Sequence, residues 1–194
     1  NFHHNFNAEF ENNEETVFAI QMVANDGTNT IANSNQGLML AYPYQSPFRC
    51  CGFFQPTQDL VNAYRTDPSG LPYLDNYNAN PVANDMGLQS NQPCTPDTQS
   101  LDPRLDWTVG RRGVPYHDWG YHPGYAWIRE QAYGGPYAPK KHIYWQYHAG
   151  EFSDQSSWAP GNAINYNIIR FADVLLMAAE AEAQLGNLGQ ALEY

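Results

Sequence analysis

Apolar residues in this chain gather into a few short runs separated by Gly, Pro, Asn and Asp. The longest regular pattern runs from Asn167 to Leu185, where Ile168, Phe171, Ala172, Leu175, Leu176, Ala179, Ala183 and Leu185 recur at helical spacing with neither Gly nor Pro between them. It predicts an amphipathic helix. Asn165 or Asn167 can cap its start, and Gly186 can close it in the left-handed conformation that follows many helix ends. After Asn187, Leu188 to Tyr194 opens a second amphipathic pattern, and so short a connection makes the two helices antiparallel neighbours. Ala178, Ala179, Ala181 and Ala183 leave room for close approach, as in a tetratricopeptide hairpin. One hairpin cannot bury its own apolar face, so it must dock on neighbours.

Upstream the signals are shorter. Thr16 to Val23 (TVFAIQMV) lies between an acidic ENNEE run and the turn Asn25-Asp26-Gly27, which predicts a strand buried on both faces. Ile143 to Tyr147 (IYWQY) is a second strand candidate. A short helix is predicted after Pro56, over Thr57 to Tyr64, with Leu60, Val61 and Tyr64 on one face. Asp67 to Pro160 is too long and too rich in Gly and Pro to be one loop, yet too aromatic to be disordered, so ordered loops with short strands are expected. The resulting division is a loop-rich region over 1–160 and the start of a helical hairpin over 161–194. The longest apolar window, Val174 to Ala179, is too short to span a bilayer. The chain opens at Asn1 without a leader pattern and stops at Tyr194 inside a helical one, so the expectation is an interior piece of a longer protein.

Charge narrows the partners. With 9 Lys+Arg against 20 Asp+Glu the formal net charge is −11, and only Arg111-Arg112 and Lys140-Lys141 are adjacent cations. Nucleic-acid binding, which draws on clustered cations, is excluded, as is a basic membrane-surface stripe. Charged residues make up only 15% while aromatics reach 14%, so polarity comes from neutral amides and phenols.

Catalytic patterns are mostly missing. There is no G-x-S-x-G elbow, H-E-x-x-H helix, phosphate-binding loop or dinucleotide turn. Cys50 and Cys51 are adjacent and a bridge between neighbours is strained, so at most one could pair with Cys94; burial as small apolar side chains is the preferred reading. Asn76 to Asn80 approaches a calcium loop, but Pro81 and Gly87 stand where Gly and Glu are required. No cofactor is expected, and an irregular calcium site is left open without a motif to support it. His117, Asp118 and His122 lie within six residues, but spacing supplies no further ligand, so no metal site is expected. A glycoside hydrolase using two unidentified carboxylates is retained as an alternative.

The aromatic loops carry a more physical suggestion. Sugar C–H faces stack on flat rings while amides satisfy the hydroxyls, and both residue types crowd between Tyr116 and Tyr137. The candidate ligand-binding residues are Trp119, Tyr121 and Trp127, with Tyr73 and Trp158 behind them. Any single ring is more often core than platform, but at least one is expected to be exposed. Arg170, at a helix start, opposes the macrodipole and is expected to have a fixed carboxylate partner. Asp102, Pro103 and Arg104 read as a turn tied by an ion pair. All are assigned structural roles.

Several stretches, taken together, resemble the SusD/RagB family of outer-membrane nutrient-binding lipoproteins. These are NIIRFADVLLMAAEAEAQLG (Asn167 to Gly186) followed by LGQALEY, LDPRLDWTVGRRGVPYHDWG (Leu101 to Gly120), CCGFFQPTQDLVNAYRTDPSGLP (Cys50 to Pro72) and ENNEETVFAIQ. The resemblance implies a mainly α-helical, tetratricopeptide-like scaffold of which this chain supplies a loop-rich part. It also implies a surface-exposed protein of the Gram-negative cell outer membrane, lipid-anchored through an N-terminal cysteine outside this sequence. Such a protein hands oligosaccharides, or peptides in RagB-like members, to a SusC-like TonB-dependent transporter without cleaving them. No family motif assigns binding residues to particular positions.

Overall fold

The computed structural model describes residues 1–28 and 31–194. Among the described residues six α-helices follow one another: α1 (Gln36–Met39), α2 (Gln58–Asn62), α3 (Leu105–Thr108), α4 (Gln131–Gly134), α5 (Phe171–Gln184) and α6 (Leu188–Glu193). The strands are β1 (Thr16–Ile20), β2 (Val109–Gly110), β3 (Ala138–Pro139), β4 (Ser153–Asp154), β5 (Gly161–Asn162) and β6 (Tyr166–Arg170), paired antiparallel as β1–β6, β2–β3 and β4–β5. The chain is thus the loop-rich part with a few short strands expected of it, and the mainly helical scaffold is not displayed by these residues alone. Only α5 exceeds six residues, and most of the chain is loop pinned by side chains.

Two apolar cores hold the loops. In the larger, Met39, Tyr42, Phe48, Tyr116, Ile143, Tyr144 and Ile164 are buried with Cys50 and Cys51. Cys50 and Cys51 are both buried, and Cys94 is free and half-buried. The smaller core joins Val61 of α2, Val82, Leu105 of α3, Val109 of β2 and Tyr137. Both are built from residues far apart in sequence, so tertiary packing rather than local propensity fixes the loops.

The α2 reading holds in outline. Thr57 Oγ1 accepts from the Leu60 N–H at 3.1 Å as an N-cap, while Val61 turns into the core and Leu60 stays exposed. The start of α5 differs from the sequence expectation by four residues. Tyr166–Arg170, with β-branched Ile168 and Ile169, pairs with β1, matching Thr16 to Arg170 and Ile20 to Tyr166. The helix cannot begin earlier because Arg170 is extended, at φ −103° and ψ 158°, and its N–H donates to the Asp173 carboxylate at 2.9 Å. Asn165 and Asn167, expected as caps, are spent elsewhere: Asn165 Oδ1 accepts from the Met22 N–H and Asn167 donates to the Asn5 carbonyl. Gly186 does close α5, at φ +83°, with the Asn187 N–H donating to the Glu182 carbonyl. Helices α5 and α6 pack on each other across Gly186 and Asn187.

Two strand expectations need correction. β1 begins where expected but ends at Ile20, and it is not buried on both faces: Val17, Phe18 and Ile20 are about half exposed, because β6 is its single partner among the described residues. Ile143 to Tyr147 forms no strand. Its backbone groups are taken by side chains: the Asp118 carboxylate accepts from the N–H groups of Gln146 and Tyr147 at 2.7 and 2.9 Å, and Trp119 Nε1 donates to the Tyr144 carbonyl at 2.8 Å. Those groups are lost to a ladder, and Gln146–His148 closes as a 3-10 turn.

Candidate functional site: an aromatic cleft

The site grows out of α3. Asp102 accepts from the Arg104 N–H at 2.9 Å and pairs with its guanidinium, making the turn from which α3 starts. Leu105 then anchors the helix in the smaller core, which leaves Asp106 and Trp107 on its outer side, both half-buried. Immediately after α3, β2 pairs with β3, matching Val109 to Pro139 and Gly110 to Ala138. That pairing delivers Lys140 to the helix end, where its N–H donates to the Thr108 carbonyl at 3.1 Å.

Lys140 acts as a buried staple. Its Nζ donates to the carbonyl oxygens of Asp106 and Pro115, tying α3 to the loop that carries His117. It also lies 5.6 Å from the Trp107 ring centroid and 6.0 Å from that of Tyr116, within cation–π range. Burial lowers its pKa to about 8, with Asp106 opposing the shift and Arg111 adding to it.

His117 adopts a left-handed backbone, φ 51°, uncommon for a residue with a Cβ. Its Nε2 lies 3.2 Å from the Lys140 carbonyl, which can only accept, so Nε2 carries the proton and Nδ1 keeps its lone pair. Nδ1 is buried and has no hydrogen-bond partner among the described residues. Burial, then repulsion from Lys140, pushes the imidazole pKa down to about 3, so the ring is neutral.

Around these groups the rings form a connected wall. His117 lies 4.6 Å from Trp145, Trp107 lies 6.4 Å from both, and Tyr147 continues the line 5.7 Å beyond Trp145. His3 stacks flat on Trp107 at 4.5 Å and 17°. The cleft has a volume of about 230 Å³, lined by Asp106, Trp107, Val114, Pro115, His117, Lys140 and Trp145. Flat apolar faces bordered by one carboxylate and backbone carbonyls suit a ring with C–H faces and hydroxyl edges. Among the described lining residues Asp106 is the one carboxylate, and it already accepts from Arg111 Nε at 2.9 Å. A glycosidase pair needs two.

The rings singled out by sequence lie elsewhere. Trp119 and Trp127 are half-buried against the larger core: Trp119 sits 4.7 Å from Phe48, and Trp127 lies 5.6 Å from Tyr116. Tyr121 and Trp158 are well exposed, at 71% and 64%, and Tyr73 is half-buried. Among the described residues none of these three makes a ring contact, so they form no shared platform with one another. Tyr133, 96% exposed, borders a separate hollow beside Phe53, Phe54 and Arg129. Trp107 and Trp145 lie outside the aromatic-rich segment, and the β2–β3 pairing, the Lys140 staple and the Asp118 bonds to residues 146 and 147 bring their segments together.

The remaining sequence candidates have structural surroundings. Arg170 Nη1 lies 3.7 Å from Glu15, whose backbone carbonyl accepts from the Phe171 N–H at 2.7 Å, so the acidic run before β1 serves the positive end of α5. The His117, Asp118 and His122 trio is divided among separate tasks: Asp118 holds the 146–147 backbone, and His122 accepts from the Gly124 N–H through Nδ1. Among the described residues no group of three or more His, Cys, Asp or Glu could hold a metal. Among the described residues no helix is long and apolar enough to cross a membrane.

Comparison with characterised proteins finds no match. The family model described as the SusD family, however, matches residues 14–194, nearly the whole chain and every element of the cleft's frame. Members of that family are generally nutrient- and glycan-binding surface proteins without catalysis. From its acidic β1 approach to α6, the chain belongs to the SusD family.

Proposed function

We propose that this chain is the loop-rich part of a non-catalytic cell-surface protein that captures oligosaccharides and passes them to a SusC-like TonB-dependent transporter. Residues 1–160 supply the ligand-contacting loops, and 161–194 begin the helical hairpin that joins them to a tetratricopeptide-like scaffold. The protein is held at the outer membrane by a lipid anchor. The observation that carries the reading is the cleft between Trp107 and Trp145, whose walls are aromatic faces, a neutral imidazole and carbonyl oxygens rather than a nucleophile with its base. Membership of the SusD family supports the same role.

Affinity electrophoresis against a panel of soluble polysaccharides tests it. Retardation by at least one glycan, weakened in Trp145→Ala, is the expected result; no retardation by any glycan overturns the reading. Release of reducing sugar over hours would instead favour a hydrolase.

A further inference from the structure

Beside the aromatic cleft lies a second cavity, of about 490 Å³, whose lining includes Phe2, Tyr64, Asp102, Arg104, Lys141 and Arg170. Three of the nine Lys and Arg residues in a chain of net charge −11 thus converge on one hollow, and Asp102 is the one carboxylate among the described lining residues. A protein with so few cations gains nothing in solubility from massing them against their mutual repulsion.

Two of the three cations have hydrogen-bonding capacity to spare. Lys141 Nζ makes no hydrogen bond or ion pair among the described residues and rests 4.6 Å from the Phe6 ring centroid and 5.3 Å from that of Phe2. The Arg170 guanidinium lies 5.7 Å from the same Phe6 centroid, and its ion-pair partner Glu15 stands at 3.7 Å, beyond hydrogen-bond reach. Arg104 is paired with Asp102 yet remains 62% exposed. Burial, then repulsion from Arg170 and Arg104, lowers the Lys141 pKa, as expected of a hollow whose positive charge is not fully compensated.

Chain neighbours and ring contacts link this cavity to the aromatic cleft at three places. Lys140 lines one and Lys141 the other; Trp107 follows Arg104 by three residues; His3 stacks on Trp107 while Phe2 lies under Lys141. We propose that the second cavity takes the carboxylate or sulfate group of an acidic saccharide whose neighbouring sugar ring occupies the Trp107–Trp145 cleft. The ligands are then charged glycans, contrary to what overall composition suggests. The inference rests on the glycan-binding reading and adds a substrate class to it.

Matched pairs of saccharides test the charge separately from the sugar. Trigalacturonic acid with its methyl ester, a hyaluronan oligosaccharide with its carboxyl-reduced form, and a sulfated galactan oligosaccharide with its desulfated form are titrated calorimetrically, with inorganic sulfate as a separate arm. In at least one pair the charged member is expected to bind about tenfold tighter or more, the size of one lost charge-assisted contact. High salt should shrink that preference. Lys141→Met should erase it in a folded protein, and Lys141→Arg should preserve it. Equal affinity within every pair overturns the anionic site but leaves glycan binding standing. Binding of no saccharide removes both readings. Sulfate binding without saccharide binding identifies a free-ion site and overturns the proposal, as does a preference that survives in a folded Lys141→Met protein.

Discussion

The Arg65 guanidinium grips the Asp97 carboxylate with two parallel hydrogen bonds, Nη1 to Oδ1 at 3.0 Å and Nη2 to Oδ2 at 2.7 Å, with both side chains almost fully buried. Arg65 also donates through Nε to the Asn80 carbonyl and through Nη2 to the Pro81 carbonyl, and Asp97 accepts from the N–H groups of Ala83 and Gln99. The end of α2 and the long loop before α3 are thereby closed into one unit.

Removing one partner strands the other charge away from water. Arg65→Met or Asp97→Asn is expected to cost about 3–5 kcal/mol in urea unfolding, far more than an exposed pair would. The Asp97 pKa is held well below the usual carboxylate range, first by its hydrogen bonds from Arg65. A depressed carboxyl pKa contributes stability above the unfolded value, near pH 4, that is lost as pH falls through the folded value. Wild type should therefore lose more stability below about pH 4 than Asp97→Asn does.

Glu11 titrates in the opposite sense. Burial raises its pKa to about 7, although it accepts a hydrogen bond from the Asn165 N–H at 2.7 Å. The folded state then holds a proton that the unfolded state has lost, so this group's contribution to stability declines as pH rises from about 4.5 to about 7. Glu11→Gln should flatten the stability profile in that window. An unchanged slope in thermal melts across the same pH values would refute the assignment.

Trp145→Ala and Trp119→Ala separate platform from core. Losing the Trp145 anchor should weaken glycan binding about tenfold or more with little change in melting temperature. Trp119→Ala, which empties a place beside Phe48 and Tyr144, should cost about 3–5 kcal/mol of stability. Calorimetric binding on folded protein, paired with urea unfolding, distinguishes the two.

Gly110 lies in β2 beneath the cleft, where an added Cβ would stand 2.6 Å from Tyr116 Cε2 and 3.2 Å from His122 Cδ2. Tyr116 is fully buried and cannot withdraw, so Gly110→Ala should destabilise by about 1–3 kcal/mol. Chemical denaturation would check the size, and loss of glycan affinity in the folded variant would show that the cleft frame had shifted with Tyr116.

The legible parts of this molecule were those with local signals. α2 could be read from Thr57 and its apolar positions, and the body and end of α5 from its periodic residues and Gly186. The segment Tyr166–Arg170 was misread because Ile168 and Ile169 fit a helical pattern as well as a strand, and only the backbone of β1, nearly 150 residues away, decides between them. Ile143 to Tyr147 looks like a strand in sequence because the side chains that claim its backbone, Asp118 and Trp119, carry no mark of that role there. The candidate site was less legible still. Its two indoles are 38 positions apart, and the staple between their segments is a lysine bonded to carbonyls, a pairing no spacing rule foretells.

The His3 ring already lies flat on one face of Trp107, in the place a sugar ring would use. A ligand stacking on that face must first lift the chain's own imidazole, so its apparent affinity is the intrinsic one multiplied by the fraction of molecules in which the indole is bare. On the glycan-binding reading, capture at the Trp107 face then depends partly on how firmly the Phe2–Phe6 turn holds His3 against the indole.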